Sequence, residues 1–264
     1  MYLELRGNGQ PVLLLHGQPG YGKNFEKVVS KLVTNHLLLV PDRCGYNKSF
    51  GYPKGFEEAA NELIDRVEQL GLSDLIVLGY SFGAGSAIFF STLAQRLTKA
   101  LILVSPIGTR KCLTPLDYVL AKPFIGPVVT FDGMISLDIV MPKLKQFASN
   151  SNSDFLKAAA HALKIDVVAD STISPKPILK SLKSFVDEQR ILLKQIGLLE
   201  EALTKVNVPV HIVSGQKDDI ISPESVLDIE SRLKATSLTW IKDGTHLLIH
   251  EYPETIAEIV SSYS

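Results

Sequence analysis

Cysteine is scarce in this sequence, with only Cys44 and Cys112 among 264 residues. The two lie far apart and form neither a Cys-x-x-Cys pair nor a Cys/His spacing typical of zinc ligands. A disulfide framework and a structural zinc site are therefore excluded as the basis of the fold, and we expect two free thiols. Motifs that bind a metal or cradle a phosphate are also missing, so the sequence predicts no cofactor.

An excess of charge of either sign is also lacking. The chain has 27 lysines and arginines against 28 aspartates and glutamates, a formal net charge of −1, and no run of like charges. Such a balance supplies no basic field for nucleic acid or anionic lipid. We expect a small-molecule partner, no nucleic acid and no membrane, with no oligomeric state indicated. The N-terminal segment Met1–Arg6 has no basic region followed by a long apolar stretch, which favours a cytoplasmic protein.

Short apolar runs that alternate with helical stretches dominate what is present. The predicted strands are Val12–Leu15, Leu37–Val40, Leu75–Leu78, Leu101–Val104, Val210–Val213 and Leu238–Ile241. The clearest predicted helices are Asn24–Leu32, Phe56–Gly71 and Pro223–Leu233. This order predicts an α/β fold with a mostly parallel, twisted sheet flanked by helices. Tyr2–Arg6 alternates apolar and polar residues before Gly7-Asn8-Gly9, so we expect an antiparallel edge strand, a hairpin turn into Val12, and about seven strands in all.

The alternation stops between about Gly108 and Lys205. Helical stretches and loops marked by proline and glycine fill this part of the chain, without a strong strand run. We predict an inserted helical cap over residues 108–205, on a core formed by residues 1–107 and 206–264. Apolar residues crowd the first half of the cap, and some should face a pocket. Phe131 and Met134 are candidates for substrate contact.

The pentapeptide Gly79-Tyr80-Ser81-Phe82-Gly83 carries the strongest functional signal. It is a G-x-S-x-G motif between the apolar run Leu75–Leu78 and the small-residue helix Ala84–Leu97, which is the context of a nucleophile elbow. The turn should strain the serine backbone and present its hydroxyl beside the N–H groups of the helix. We expect the two glycines because positions two before and two after the serine would crowd each other.

A nucleophilic serine needs a base, and the base needs an orienting carboxylate. Two later loops supply these groups at the carboxyl ends of predicted strands. The first, Ser214–Asp219, carries Asp218 and Asp219, and the second, Asp243–His246, carries His246. Open α/β sheets place ligands at this edge, and the chain order Ser, Asp, His accompanies this type of elbow.

At these motifs the chain resembles the α/β-hydrolase superfamily, in particular its Ser-Asp-His esterase and lactonase branch with a helical cap. The matching segments are Leu13–Gly20, Asp42–Ser49, the elbow, Gly215-x-x-Asp218 and Gly244-x-His246. The resemblance implies that Ser81 is the nucleophile, His246 the general base and Asp218 the group that fixes the imidazole tautomer. Asp219 is the competing acid, but the family motif has its carboxylate three residues after the glycine.

The resemblance also implies an oxyanion hole formed by the backbone N–H groups of Gln18 and Phe82, with His16 orienting the loop. Tyr80 and Arg190 are further candidates for substrate contact. Arg43, like Arg190, could bind a substrate carboxylate, and a solvated or ion-paired surface position is the alternative for each.

One loop departs from the family pattern. Asn47 stands where relatives usually carry a second glycine. Since asparagine tolerates the left-handed backbone conformation, the turn should survive.

Together these residues predict a serine hydrolase that cleaves a small to medium carboxylic ester or lactone through an acyl-enzyme on Ser81. The same triad serves C–C bond (diketone) hydrolases and cofactor-free perhydrolases or haloperoxidases, and a low-turnover ligand receptor can share the fold. Serine at the elbow argues against haloalkane dehalogenases and epoxide hydrolases, whose nucleophile is aspartate.

Overall fold

A seven-stranded sheet lies at the centre of the structure, a computed structural model that describes residues 1–122 and 175–264. The strands are β1 (Tyr2–Arg6), β2 (Gln10–Leu15), β3 (His36–Asp42), β4 (Leu75–Tyr80), β5 (Thr98–Val104), β6 (Val210–Gly215) and β7 (Thr236–Ile241). Their order is β1-β3-β2-β4-β5-β6-β7, and all neighbours are parallel except β1 and β3. The predicted fold class and number of strands are confirmed.

The predicted hairpin between β1 and β2 is wrong. β1 is an antiparallel edge strand, as expected, but it pairs with β3, with Tyr2 opposite Asp42. Gly7 and Gly9 have φ angles of 77° and 112°. A Cβ on either glycine would collide with backbone carbonyl oxygens of residues 33–36, in the connection that leads into β3. The glycines therefore let the chain pass close beneath that connection to the far side of β3, instead of folding back on β1.

Helices cover both faces of the sheet. In the described residues the α-helices are α1 (Glu26–Leu32), α2 (Phe56–Gln69), α3 (Gly83–Leu93), α4 (Pro115–Leu120), α5 (Pro175–Lys205), α6 (Pro223–Arg232), α7 (Leu248–Glu251) and α8 (Pro253–Ser261). Successive residues of β2 point to opposite faces, so Leu13 and Leu15 join one buried cluster while Val12 and Leu14 join the other. The first cluster packs under α2, α3, α5 and α6, and the second under α1, α7 and α8. Over the described residues, every helix is too short or too polar to cross a membrane.

The C-terminal half of α5 packs into the core. Leu192, Ile196, Leu199 and Leu203 repeat at helical spacing and lie in the same buried cluster as α3. These turns therefore pack with the core, although they lie before residue 205, the predicted boundary between the cap and the second part of the core. The division into core and cap stays a prediction, and the candidates Phe131 and Met134 lie outside the described residues.

Candidate active site

Ser81 occupies the sharp turn between β4 and α3. Its φ angle is 51°, in the left-handed region that residues other than glycine rarely adopt. The Ser81 N–H donates a hydrogen bond to the Val104 carbonyl at 2.9 Å, which ties the turn to the neighbouring strand β5. Such a backbone costs about 1–3 kcal/mol and is typical of a functional site. The strained serine expected from the motif is thus present.

The two elbow glycines are needed for a reason different from the expected mutual crowding. A Cβ on Gly79 would lie 2.6 Å from the Ala84 Cα, inside α3. A Cβ on Gly83 would collide with the Leu15 carbonyl oxygen at the end of β2. Gly79 therefore lets α3 pack against β4, and Gly83 lets the start of α3 approach β2.

Ser81, His246 and Asp218 form a continuous hydrogen-bonded chain. His246 Nε2 lies 2.9 Å from Ser81 Oγ, and His246 Nδ1 lies 2.9 Å from Asp218 Oδ2. The other carboxylate oxygen, Asp218 Oδ1, accepts hydrogen bonds from the N–H groups of Ile220 and Ile221 at 2.9 and 2.8 Å. Because the carboxylate can only accept, Nδ1 carries the imidazole proton and Nε2 accepts from the serine hydroxyl.

Close contact between the β6 and β7 loops brings Asp218 and His246 together. A Cβ on Gly215 would collide with the Gly244 carbonyl oxygen, and the Lys217 N–H donates to that same oxygen at 2.9 Å. Neighbouring Asp219 is exposed and does not join the chain. Of the two carboxylates that the sequence offers, only Asp218 faces the histidine.

Tyr80, a candidate for substrate contact, is buried beside the histidine. Its hydroxyl donates to the His246 carbonyl oxygen at 3.1 Å, and the two ring centroids are 5.5 Å apart. Burial is the main cause that raises the pKa of the Tyr80 phenol, so it stays neutral. The structure gives this side chain a contact that supports the histidine loop.

The Gly17–Gln18 peptide lies beside the elbow. A Cβ on Gly17 would be 3.1 Å from both the Ser81 Cβ and the Tyr80 ring. Within the described ranges, neither the Gln18 N–H nor the Phe82 N–H has an acceptor in the protein. Two N–H groups next to a nucleophile, with no internal acceptor, are available to an oxyanion.

His16 is fully buried and orients this peptide. Its Nδ1 lies 2.8 Å from the Gly17 carbonyl oxygen, and its Nε2 accepts the Arg43 N–H at 3.0 Å. Because Nε2 accepts the Arg43 backbone N–H, the proton of the neutral ring is on Nδ1, which faces the Gly17 oxygen, while Arg43 Nε lies 3.4 Å from the same Nδ1. Burial, and secondarily the Arg43 charge, hold the pKa of His16 well below its usual value. Both nitrogens of His16 are engaged, as befits a residue that orients a loop.

The two arginines considered for a substrate carboxylate are both paired within the chain. Arg43 is buried and forms an ion pair with Glu188 of α5. Arg190 is exposed and donates to Asp187 and to the Ala121 carbonyl oxygen, each at 2.9 Å. The pairing of Arg43 with Glu188 was missed by sequence reasoning. The helical spacing indicates the burial of Glu188 but not its partner, since Glu188 precedes Leu192 by four residues and so shares the buried face of α5.

The loop after β3 keeps the turn expected with asparagine in place of glycine. Asn47 has a φ angle of 38°, and its side chain donates to Asp42 Oδ2 at 2.9 Å.

In the described part of the chain, no group of three His, Cys, Asp or Glu side chains is arranged to hold a metal ion. Both cysteines are buried and unpaired.

Comparison with known proteins gives matches over almost the whole chain. Residues 10–253 match the family model described as the alpha/beta hydrolase fold. Lipase 3 of Moraxella sp. (strain TA144) is 25% identical, over 90% of this chain and 72% of its own length. An esterase from Exiguobacterium antarcticum superposes with a TM-score of 0.64 at 23% identity, over 99% of this chain and 94% of its own. A bromoperoxidase from Bacillus anthracis gives a TM-score of 0.64 at 20% identity, over 99% and 94%. At such identities the solved structures show a shared fold.

Proposed function

The chain belongs to the alpha/beta hydrolase family, and from this premise we propose that it is a serine hydrolase that cleaves a small to medium carboxylic ester or lactone. The observation that carries the proposal is the hydrogen-bonded chain from Asp218 through His246 to the strained Ser81. Similarity to proteins described as a lipase and an esterase supports an ester substrate.

In the proposed reaction, His246 Nε2 accepts the Ser81 proton as Oγ attacks the acyl carbonyl carbon. The negative charge that develops on the carbonyl oxygen is stabilised by the N–H groups of Gln18 and Phe82, each worth about 3–4 kcal/mol of barrier in comparable sites. Asp218 stabilises the imidazolium that forms. His246 then donates its proton to the leaving oxygen, which leaves an acyl group on Ser81.

The second half of the reaction reverses the roles. His246 takes a proton from water as the water oxygen attacks the acyl carbon, and the same two N–H groups bind the second oxyanion. Collapse releases the carboxylic acid and returns the proton to Ser81 Oγ. The groups that stabilise the oxyanion and the imidazolium are already held in place by hydrogen bonds before the reaction begins. They therefore need little reorganisation in the transition state.

Among the alternatives, the C–C hydrolase hypothesis requires a cationic side chain that binds a substrate carboxylate. Within the described residues, both arginines considered for that role have internal partners, Glu188 for Arg43 and Asp187 for Arg190. This favours the ester over a carboxylate-bearing diketone. Perhydrolases and haloperoxidases form the same acyl-enzyme but use a nucleophile other than water in the second half of the reaction. Ester hydrolysis therefore tests the formation of the acyl-enzyme, which these activities share.

The decisive experiment measures hydrolysis of a p-nitrophenyl ester series, acetate through dodecanoate, by the wild-type protein and by Ser81→Ala. We expect Ser81→Ala to lower kcat by about 10⁴-fold or more, as loss of the nucleophile does in serine hydrolases. Ser91→Ala is a matched control, because Ser91 is a buried serine of α3 whose hydroxyl has no partner among the described residues. Equal rates in wild type and Ser81→Ala, or a single burst without further turnover, would contradict the proposal.

A further inference from the structure

Arg43 is a buried charge that the proposed mechanism does not use. It follows β3, and its side chain is only 7% exposed. Its guanidinium carbon lies 4.8 Å from the ring centroid of Phe82 and 5.3 Å from that of Tyr46. Burying an arginine is costly unless its donors are satisfied, so its partners indicate what the residue is for.

One edge of the guanidinium is directed at the Gly17–Gln18 peptide, which carries one of the two candidate oxyanion donors. Arg43 Nη2 donates to the Gly17 carbonyl oxygen at 2.9 Å, and the same oxygen accepts from His16 Nδ1 at 2.8 Å. The Gly17 carbonyl and the Gln18 N–H belong to one planar peptide unit, so a donor that holds the oxygen also sets the direction of the N–H. Hydrogen bonds to the carbonyl also polarise the amide and strengthen its N–H as a donor.

The same guanidinium is held by α5. Arg43 Nη1 pairs with Glu188 Oε1, and Nη2 lies 3.2 Å from Oε2. The Tyr46 hydroxyl donates to Glu188 Oε2 at 2.7 Å, so both carboxylate oxygens are engaged. Glu188 is 1% exposed. The planar fork of arginine can hold a carboxylate and a carbonyl at once, whereas lysine offers a single nitrogen.

We propose that Arg43, anchored by Glu188, is a positioning residue that orients the Gln18 N–H toward the oxyanion. It acts through the Gly17–Gln18 peptide and through its contact with Phe82, which carries the second candidate donor. Its effect therefore belongs to the transition state rather than to the bound substrate. The inference rests on the proposed function, since it presumes that these two N–H groups bind an oxyanion.

Arg43→Lys tests the proposal with the charge retained. We expect kcat to fall about tenfold with KM changed less than about twofold, because a misaligned oxyanion donor should cost less than the 10²–10³-fold of a deleted one. A boronic acid that forms a tetrahedral adduct on Ser81 should lose affinity by the same factor as kcat. A fall in kcat without loss of boronic acid affinity, or a KM that rises with kcat unchanged, would overturn the proposal.

The double variant Arg43→Met/Glu188→Gln separates positioning from stability. Replacing both members leaves no uncompensated buried charge, so its urea midpoint should fall less than that of Arg43→Met alone, while kcat still falls about tenfold. The control is Arg110→Met/Glu200→Gln, which removes a more exposed ion pair between an arginine and α5. Arg110 donates to Glu200 and, within the described residues, does not contact the Gly17–Gln18 loop, so the control should keep the wild-type kcat.

The outcomes distinguish this inference from the proposed function. Without Ser81-dependent turnover in the wild type, the proposed function itself fails. With Ser81-dependent turnover intact and wild-type kcat in both Arg43 variants, only the positioning role fails.

Discussion

Asp218 and Asp219 are adjacent in sequence but occupy opposite environments. Asp218 is buried, with one oxygen bound by two backbone N–H groups and the other facing His246, whereas Asp219 is exposed. The backbone bonds hold the carboxylate in the orientation that the histidine needs. Position within the loop, rather than residue type, therefore determines which aspartate serves the imidazole.

Asp218→Asn should abolish most of the activity without unfolding the loop. The asparagine oxygen can still accept from Ile220 and Ile221, but its NH₂ then faces His246 Nδ1 and favours the tautomer with the proton on Nε2. In that state Nε2 cannot take the serine proton, and we expect kcat to fall about 10⁴-fold, the loss seen for the equivalent change in a serine protease. Steady-state kinetics on a p-nitrophenyl ester measure it. Asp219→Asn is the control, and similar losses in both variants would contradict the assignment.

Sequence motifs predicted the residues that meet at the site but not all of their supports. Ser81, Asp218 and His246 each sit in a short local pattern at a strand end, and the topology of a parallel sheet brings strand ends together. The ion pair of Arg43 with Glu188 joins positions 145 residues apart. No local pattern encodes that pairing, because it arises only when α5 packs against the β3 loop.

At the scale of elements, the pairing of β1 shows why local turn chemistry can mislead. Gly7-Asn8-Gly9 is suited to a hairpin, yet β1 pairs with β3. β2 is occupied on both edges by β3 and β4 in parallel register, so the strand nearest to β1 in sequence offers no free edge, whereas β3 does. The strand periods and helix patterns are local and were predicted well, whereas the choice of partner is a property of the assembled sheet.

Gly83 of α3 and Gly197 of α5 should respond in opposite ways to replacement by alanine. In Gly83→Ala the new Cβ would collide with the Leu15 carbonyl oxygen, a backbone atom that cannot move without shifting β2. We expect a loss of about 1–3 kcal/mol in the free energy of unfolding, the usual cost of overpacking. In Gly197→Ala the nearest atom is the tip of the flexible Arg110 side chain at 2.7 Å. Helix propensity should then raise the free energy of unfolding by about 0.5–1 kcal/mol.

Urea denaturation of the two variants beside the wild type measures both effects. Each change adds one methyl group to a helix, so each is the control for the other. Destabilisation by Gly197→Ala as large as that by Gly83→Ala would show that the contact with β2 is not what requires a glycine at the elbow.

At the scale of the whole molecule, the candidate site lies where four parts of the fold converge. The elbow follows β4, the loops of Asp218 and His246 follow β6 and β7, and the Gly17–Gln18 loop follows β2. All four strands run in the same direction, so their carboxyl ends share one edge of the sheet. Close approaches at Gly17, Gly83 and Gly215 join these loops directly. Since the loops contact one another, folding of the sheet and formation of the site are coupled.

His16 should make this coupling visible in the pH dependence of stability. It is fully buried, and burial together with the Arg43 charge holds its pKa well below the usual value. In the unfolded chain its pKa returns to about 6.5, so below that pH the unfolded state binds a proton that the folded state does not. Above about pH 6.5 both states are neutral and the residue adds no pH dependence. Stability must therefore fall as the pH falls below about 6.5.

From this residue alone, the free energy of unfolding should decrease by about 1.4 kcal/mol per pH unit between about pH 6 and 5. Urea denaturation at a series of pH values measures the slope in the wild type and in His16→Asn. The variant will be less stable at every pH, because asparagine cannot replace both hydrogen bonds of the ring. Its free energy of unfolding should nevertheless change less steeply with pH, by the contribution of about one proton. The slope, unlike the absolute stability, isolates the titrating group from the lost contacts. Parallel slopes in the two proteins would mean that His16 is charged in the fold, and its role as the neutral donor to Gly17 would then be untenable.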